Sequence, residues 1–228
     1  MSKTRGRFRG ALVVGVAALT LTGCAGAGMH PGVAVQVGEE SITMAEVDEI
    51  AVDFCDAVTP QLEQQAETVP NAYFRGGIAG TLALRSIADQ VAEDYGITLD
   101  GEDYTAQLAQ IRRGVAGLPE EVRESVLVVD SAPLYVEEVQ ASVGEVVLEG
   151  EGDRQAFLAA GQEEFATWVA ENEVEFDPSL NTVAGEGTIR NEDRSLSFAV
   201  SETARSGNAA EPNAVLARRL PSTQRCGR

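Results

Sequence analysis

Apolar residues recur at helical spacing through most of this chain, and glycine or proline separates one run from the next. A repeat near 3.6 residues is typical of helices that bury one face against a core. The pattern predicts a mostly α fold. The predicted helices run from about 46 to 67, 71 to 95, 100 to 113, 119 to 147 and 153 to 171.

Residues with capping chemistry stand at several of these boundaries. Thr43 followed by Glu46 forms a capping box, and Asp100 and Asp153 are predicted to cap the third and fifth helices. Gly96 is predicted to end the second helix in a left-handed conformation. These signals give most of the predicted helices at least one defined end.

Two prolines and two short alternating segments complete the predicted architecture. Pro119 fits the first position of the fourth helix, and Pro133 is predicted to kink or interrupt it. Residues 33–37 and 174–176 are predicted as short strands that pair. The expected fold is a helical module closed by a strand pair, followed by an irregular tail.

The N-terminus has the features of an export signal. Its four basic residues are Lys3, Arg5, Arg7 and Arg9, and residues 11–20 are almost entirely apolar. Residues 21–24, Leu-Thr-Gly-Cys, look like a bacterial lipobox. We therefore expect cleavage before Cys24 and its lipidation, with palmitate-type acyl chains, at the extracytoplasmic face of the cell membrane. The alternative is an ordinary secretory signal with a chance cysteine.

The predicted organisation has four parts. Residues 1–23 are the lipoprotein signal peptide, and the Gly-rich residues 24–32 form a flexible tether. Residues 33–178 form the helical domain, and residues 179–228 form the irregular tail.

The charge of the chain limits its partners. The net charge is −19, and the four basic leader residues are accompanied by no acid, so the mature chain carries −23. A surface this acidic repels nucleic acid, so no nucleic-acid partner is expected. It also disfavours lying flat on anionic lipid, which leaves a lipid anchor as the expected membrane contact.

Three cysteines set a second expectation. If Cys24 carries lipid, Cys55 and Cys226 remain, and exported proteins meet an oxidising compartment in which two thiols tend to pair. We predict a Cys55–Cys226 disulfide that fixes the tail to the first helix. The alternative is one buried free thiol and one thiol in a frayed tail.

Catalytic and metal-binding patterns are not evident in the sequence. The only histidine, His30, lies in the predicted tether, so neither a Ser-His-Asp triad nor a Cys/His metal cluster is predicted, and no cofactor is expected. Four aromatic residues are candidates for binding an apolar peptide, although such residues at helical spacing are more often core. They are Phe165, Trp168, Tyr73 and Tyr135.

The segment that follows the tether, Val-Ala-Val-Gln-Val-Gly-Glu-Glu-Ser-Ile-Thr over residues 33–43, resembles the opening of SurA/PrsA-type extracytoplasmic foldases. An asparagine usual before the glycine is missing here. Residues 95–100, Tyr-Gly-Ile-Thr-Leu-Asp, also resemble the family's entry to its third helix. The tail sequence over residues 220–227 looks like the ending of short actinobacterial lipoproteins of this kind.

The resemblance implies a helical chaperone module without the parvulin isomerase domain, because residues 100–153 have neither its length nor its histidine pattern. It implies a non-catalytic module that binds unfolded or exported polypeptides. Two alternatives stay open: a scaffold lipoprotein that binds one defined envelope partner, and a divergent peptidyl-prolyl isomerase.

Overall fold

The computed structural model describes residues 31–185, 188–192, 200–202, 205 and 211–227, and the chain is mostly helical, as predicted. The predicted signal peptide, Cys24 and most of the predicted tether lie outside these residues. Five long helices follow one another. They are α1 Met44–Gln65, α2 Asn71–Tyr95, α3 Glu102–Gly114, α4 Glu120–Val147 and α5 Arg154–Glu171.

Three of the predicted capping residues stand at helix ends. Thr43 Oγ1 accepts a hydrogen bond from the Glu46 N–H at 3.1 Å, and Asp153 Oδ1 accepts one from the Ala156 N–H at 2.9 Å. Gly96 ends α2 with φ at 64°. The capping positions of Thr43, Asp153 and Gly96 are therefore confirmed.

The predicted cap of the third helix is wrong. Gly101, and not Asp100, occupies the capping position of α3, and no side chain makes the capping hydrogen bond there. The two acidic residues in its first turn, Glu102 and Asp103, interact favourably with the positive end of the helix dipole instead.

At the prolines of the fourth helix, the predicted first helical position of Pro119 and the predicted interruption at Pro133 are wrong. Pro119 stands one residue outside α4, at its N-cap, and α4 continues through Pro133 without interruption. An interior proline costs about 3 kcal/mol because it removes a backbone hydrogen bond. The buried residues on both sides of it, including Ala132 and Val139, provide packing that offsets this cost.

A small antiparallel sheet packs against α1 and α2. Strand β1, Val33–Val37, lies between β2, Glu40–Thr43, and β4, Val174–Phe176. The pairing of β1 with β4, with Val35 opposite Phe176, is the predicted strand pair. Strand β2 was not predicted, because Thr43 already ended the segment as a helix cap.

Helix α2 and strand β1 form the centre of the core. Val35, Val37 and Ile87 are almost completely buried. Apart from Phe165 and Phe176, the buried core cluster consists of alanine, valine, leucine and isoleucine. This agrees with a chain in which aromatic residues make up only 5% of the sequence.

The tail is more ordered than predicted. Strands β5, Thr182–Gly185, and β6, Thr188–Asn191, form a hairpin, which packs against α2. At this contact, a Cβ added to Gly80 would lie 3.1 Å from the Ile189 methyl group. The sequence of the tail lacks clear periodicity, so the prediction of an irregular segment missed this hairpin.

The last described residues are fixed to the corner between α1 and α2. Strand β3, Val69–Pro70, pairs with β7, Arg225–Cys226, after a short helix α6, Ala214–Ala217. Cys55 and Cys226 lie at disulfide distance, with their Cα atoms 5.7 Å apart, consistent with the predicted bond. The side-chain amide of Asn71 also donates to the Thr223 carbonyl at 3.1 Å.

The backbones of helices α4 and α5 are in direct contact. A Cβ added to Gly144 would lie 1.8 Å from the Phe157 carbonyl oxygen, and one added to Gly161 would lie 1.8 Å from the Gln140 carbonyl oxygen. Real side-chain atoms cannot come so close to a backbone oxygen, so both positions require glycine.

Replacement of Gly144 by alanine should therefore push the two helices apart. We expect Gly144→Ala to lower the free energy of unfolding by about 3 kcal/mol, the upper part of the usual cost of overpacking. Urea denaturation followed by far-UV circular dichroism measures the change.

The matched control is Gly77→Ala, because Gly77 lies inside α2 and a Cβ there meets nothing within 4 Å. This control should be neutral or stabilising by up to about 1 kcal/mol. Equal stabilities for the two variants would contradict the close packing of α4 on α5.

Candidate functional site

A surface depression with a largely apolar lining lies between α2, α4 and α5, and we call it the apolar groove. Its volume is about 410 Å³. Helix α2 contributes Thr81 and Leu84, and α5 contributes Leu158 and Gln162. The part of α4 that forms its floor consists of Ala132, Pro133, Val136, Glu137 and Gln140.

The geometry of the groove follows from the packing beneath it. Gly144 and Gly161 hold α5 directly against α4, just beyond the groove residues Gln140 and Gln162. Tyr95 joins α2 to α5 through a hydrogen bond from its hydroxyl to Glu164 Oε2 at 2.6 Å. This hydrogen bond, followed by burial, raises the pKa of Tyr95 to about 12.

Two glutamine side chains give the groove a polar edge. In the part of the chain that the structure describes, the side-chain amides of Gln140 and Gln162 make no hydrogen bond within the protein. A primary amide carries two donors and an acceptor, which match the C=O and N–H groups of a peptide backbone. The groove therefore combines an apolar floor with groups that can hydrogen-bond a main chain.

A second depression, which we call the acidic cleft, lies between the start of α3 and the middle of α4. Its volume is about 740 Å³. Five carboxylates line it together with one guanidinium, that of Arg154. The carboxylates are Asp100, Glu102, Asp103, Glu137 and Glu138.

Arg154 forms a bridge from the start of α5 to the acidic face of α4. Its Nη2 lies 2.9 Å from Glu137 Oε1 and 2.6 Å from Glu138 Oε1. These hydrogen bonds, that to Glu138 first, raise the pKa of Arg154 above its already high ordinary value. Glu137 lines both the apolar groove and the acidic cleft, so the two depressions lie next to each other at this residue.

The aromatic candidates of the sequence lie elsewhere. Phe165 is 4% exposed and belongs to the core. Trp168 packs partly buried against the same core, with its Cη2 3.6 Å from the position that a Cβ on Gly38 would take. Their placement agrees with the alternative interpretation given above, that aromatic residues at helical spacing belong to the core.

The two tyrosine candidates are also separate from the groove. Tyr73 is 39% exposed near the start of α2. The Tyr135 hydroxyl donates to Asp89 Oδ1 at 2.5 Å, and the Arg85 guanidinium lies 4.9 Å from the centre of its ring. Burial and Asp89 raise the pKa of Tyr135. None of the four aromatic candidates lines the apolar groove.

The groove itself was not predicted as a site. Leu84, Val136 and Leu158 are part of the apolar stripes in the sequence, but a stripe does not show that its edge remains open. Gln140 and Gln162 carry no sequence signal at all, because their role depends on the crossing of α4 with α5. Only the packing of three helices reveals that these residues share one surface.

Metal sites and membrane-spanning helices are two further features to consider in the described residues. Within the described ranges, no group of three or more His, Cys, Asp or Glu residues could hold a metal ion. No helix within the same ranges is long and apolar enough to cross a membrane. Comparison with protein-family models, curated proteins and solved structures finds no match for this chain.

Proposed function

We propose that this protein is a lipid-anchored envelope protein whose helical domain binds unfolded or newly exported polypeptides without catalysis. The observation that carries the proposal is the apolar groove, edged by two side-chain amides that make no hydrogen bond within the described part of the chain. An extended segment would place its apolar side chains on Leu84, Val136 and Leu158. Its backbone would hydrogen-bond to Gln140 and Gln162.

The size and openness of the groove support weak, sequence-tolerant binding. It accepts only a few side chains at a time, so one bound segment gains only a modest total binding free energy. The strongly acidic remainder of the protein supports solubility of the complex with an aggregation-prone client. Low affinity per segment and high solubility are properties that a holding chaperone needs.

The anchor is the second part of the proposal, and it rests on the leader sequence. Lipidation at Cys24 would hold the module at the extracytoplasmic face, where exported polypeptides emerge. The scaffold alternative uses the same groove for one defined partner. An isomerase role has less support, because the only histidine of the chain, His30, precedes the domain.

Polar substitution in the groove should weaken holding activity. We expect Leu84→Gln and Leu158→Gln each to require roughly tenfold more protein to suppress aggregation of a heat-denatured client, as for loss of an apolar anchor at an interface. Light scattering without reductant measures the effect on the full-length protein.

Val52→Gln is the matched control, since Val52 is 61% exposed on α1 and lies outside the groove. The control should keep the activity of the unchanged protein, and thermal unfolding should confirm that all variants fold. No suppression by the unchanged protein, even in excess, would contradict the proposed function. A pulldown that returns one stoichiometric partner would favour the scaffold alternative.

The anchor and the disulfide can be tested together. Intact mass of the full-length gene product, purified from membranes, should correspond to a chain that begins at Cys24 and carries acyl groups. Reduction should add two hydrogen atoms to that mass, because the two remaining thiols are paired. An unlipidated mass would contradict the anchor, and a mass unchanged by reduction would contradict the bridge between Cys55 and Cys226.

A further inference from the structure

We propose that the apolar groove and the acidic cleft form one composite site. Its preferred ligand is an extended polypeptide segment in which Lys or Arg stands next to apolar residues. The proposal rests on the proposed function and adds the chemical class of the client. It begins from the observation that both depressions are lined by Glu137 and so lie next to each other.

The two depressions differ in chemistry along a single helix. Pro133 and Val136 of α4 face the apolar groove, whereas Leu134 and Glu138 line the acidic cleft. A chain that leaves the groove past Glu137 therefore enters a strongly negative environment. Apolar side chains would bind on one side of Glu137, and a cationic side chain would bind on the other.

The charge of the acidic cleft is only partly neutralised. Arg154 engages Glu137 and Glu138 on α4. On the opposite wall, Asp100, Glu102 and Asp103 have no ion-pair partner among the described residues. A ligand's ammonium or guanidinium group would be attracted to this wall and repelled by Arg154, so the two walls together favour a cation at the α3 side.

Two acidic residues of this wall stabilise helix α3, but this role does not account for their position next to the apolar groove. Glu102 and Asp103 stabilise the first turn of α3, as Glu120 and Glu121 do for α4. The acids at the start of α4 line neither depression. They therefore offer a control with the same local role and the same charge but without the adjacent groove.

Fluorescent peptides of equal length provide the test with the full-length protein. One peptide alternates leucine with arginine, a second replaces arginine by glutamine, and a third replaces it by glutamate. We expect the affinity order arginine, glutamine, glutamate, with the arginine peptide about fivefold tighter than the glutamine peptide at low salt, as for one or two exposed ion pairs. Raising the salt concentration should reduce this difference.

Charge removal then locates the preference. The variant Asp100→Asn/Glu102→Gln/Asp103→Asn should lose about fivefold in affinity for the arginine peptide and little for the glutamine peptide. The control Glu120→Gln/Glu121→Gln/Glu124→Gln removes the same charge from exposed positions at the start of α4 and should lose much less. Circular dichroism should show that both variants are folded.

The outcomes separate the two proposals. Equal losses in the two variants would mean that net charge alone attracts the peptide, and would overturn the composite site. Equal binding of the arginine and glutamine peptides would also overturn it, while leaving polypeptide binding by the apolar groove intact. Failure of all three peptides to bind would overturn the proposed function together with this inference.

Discussion

The direct backbone contact of α4 with α5 is the constraint on which the rest of the candidate site depends. Gly144 and Gly161 each face a carbonyl oxygen of the other helix at a distance that admits no side chain. Because the helices meet this closely, Gln140, one turn before Gly144, and Gln162, the residue after Gly161, lie at the same edge. The width of the groove therefore depends on these two glycines, which carry only a hydrogen atom where other residues carry a Cβ.

A second organising contact joins the end of the described tail to the helices. Cys226 lies beside Cys55, and β7 pairs with β3, so residues far apart in sequence meet at the corner between α1 and α2. In the chain-entropy description, a disulfide across this separation of 171 residues would stabilise the fold by up to about 5 kcal/mol through the unfolded state. None of the described tail residues lines the apolar groove.

The helices could be predicted because their signals are local. Periodic apolar residues and the caps at Thr43, Gly96 and Asp153 act within a few residues, and the structure places these caps as predicted. Asp100 failed as a cap because the neighbouring Gly101 takes that position. Capping chemistry in the sequence thus indicates a helix start to within a residue or two, but not which residue makes the bond.

Features that depend on contacts between residues far apart in the sequence could not be predicted in the same way. Pro133 is tolerated inside α4 because of its buried neighbours, and the β5–β6 hairpin depends on a glycine of α2 that leaves room for Ile189. The apolar groove required the relative positions of three helices. The aromatic candidates were chosen by residue type, and Phe165 shows the weakness of that choice, since its size is used to fill the core.

Local sequence signals therefore predict where the helices of this protein begin and end. The surface available for binding depends instead on how those helices pack together. The central claim is that the apolar groove is where a polypeptide binds. The most direct measurement is photo-crosslinking of the full-length protein to a purified unfolded client of known sequence. A photoreactive amino acid would replace Leu158 in one variant and Val52 in another. The account predicts client adducts at position 158 and few at position 52. Equal yields at the two positions, or adducts at position 52 alone, would contradict it.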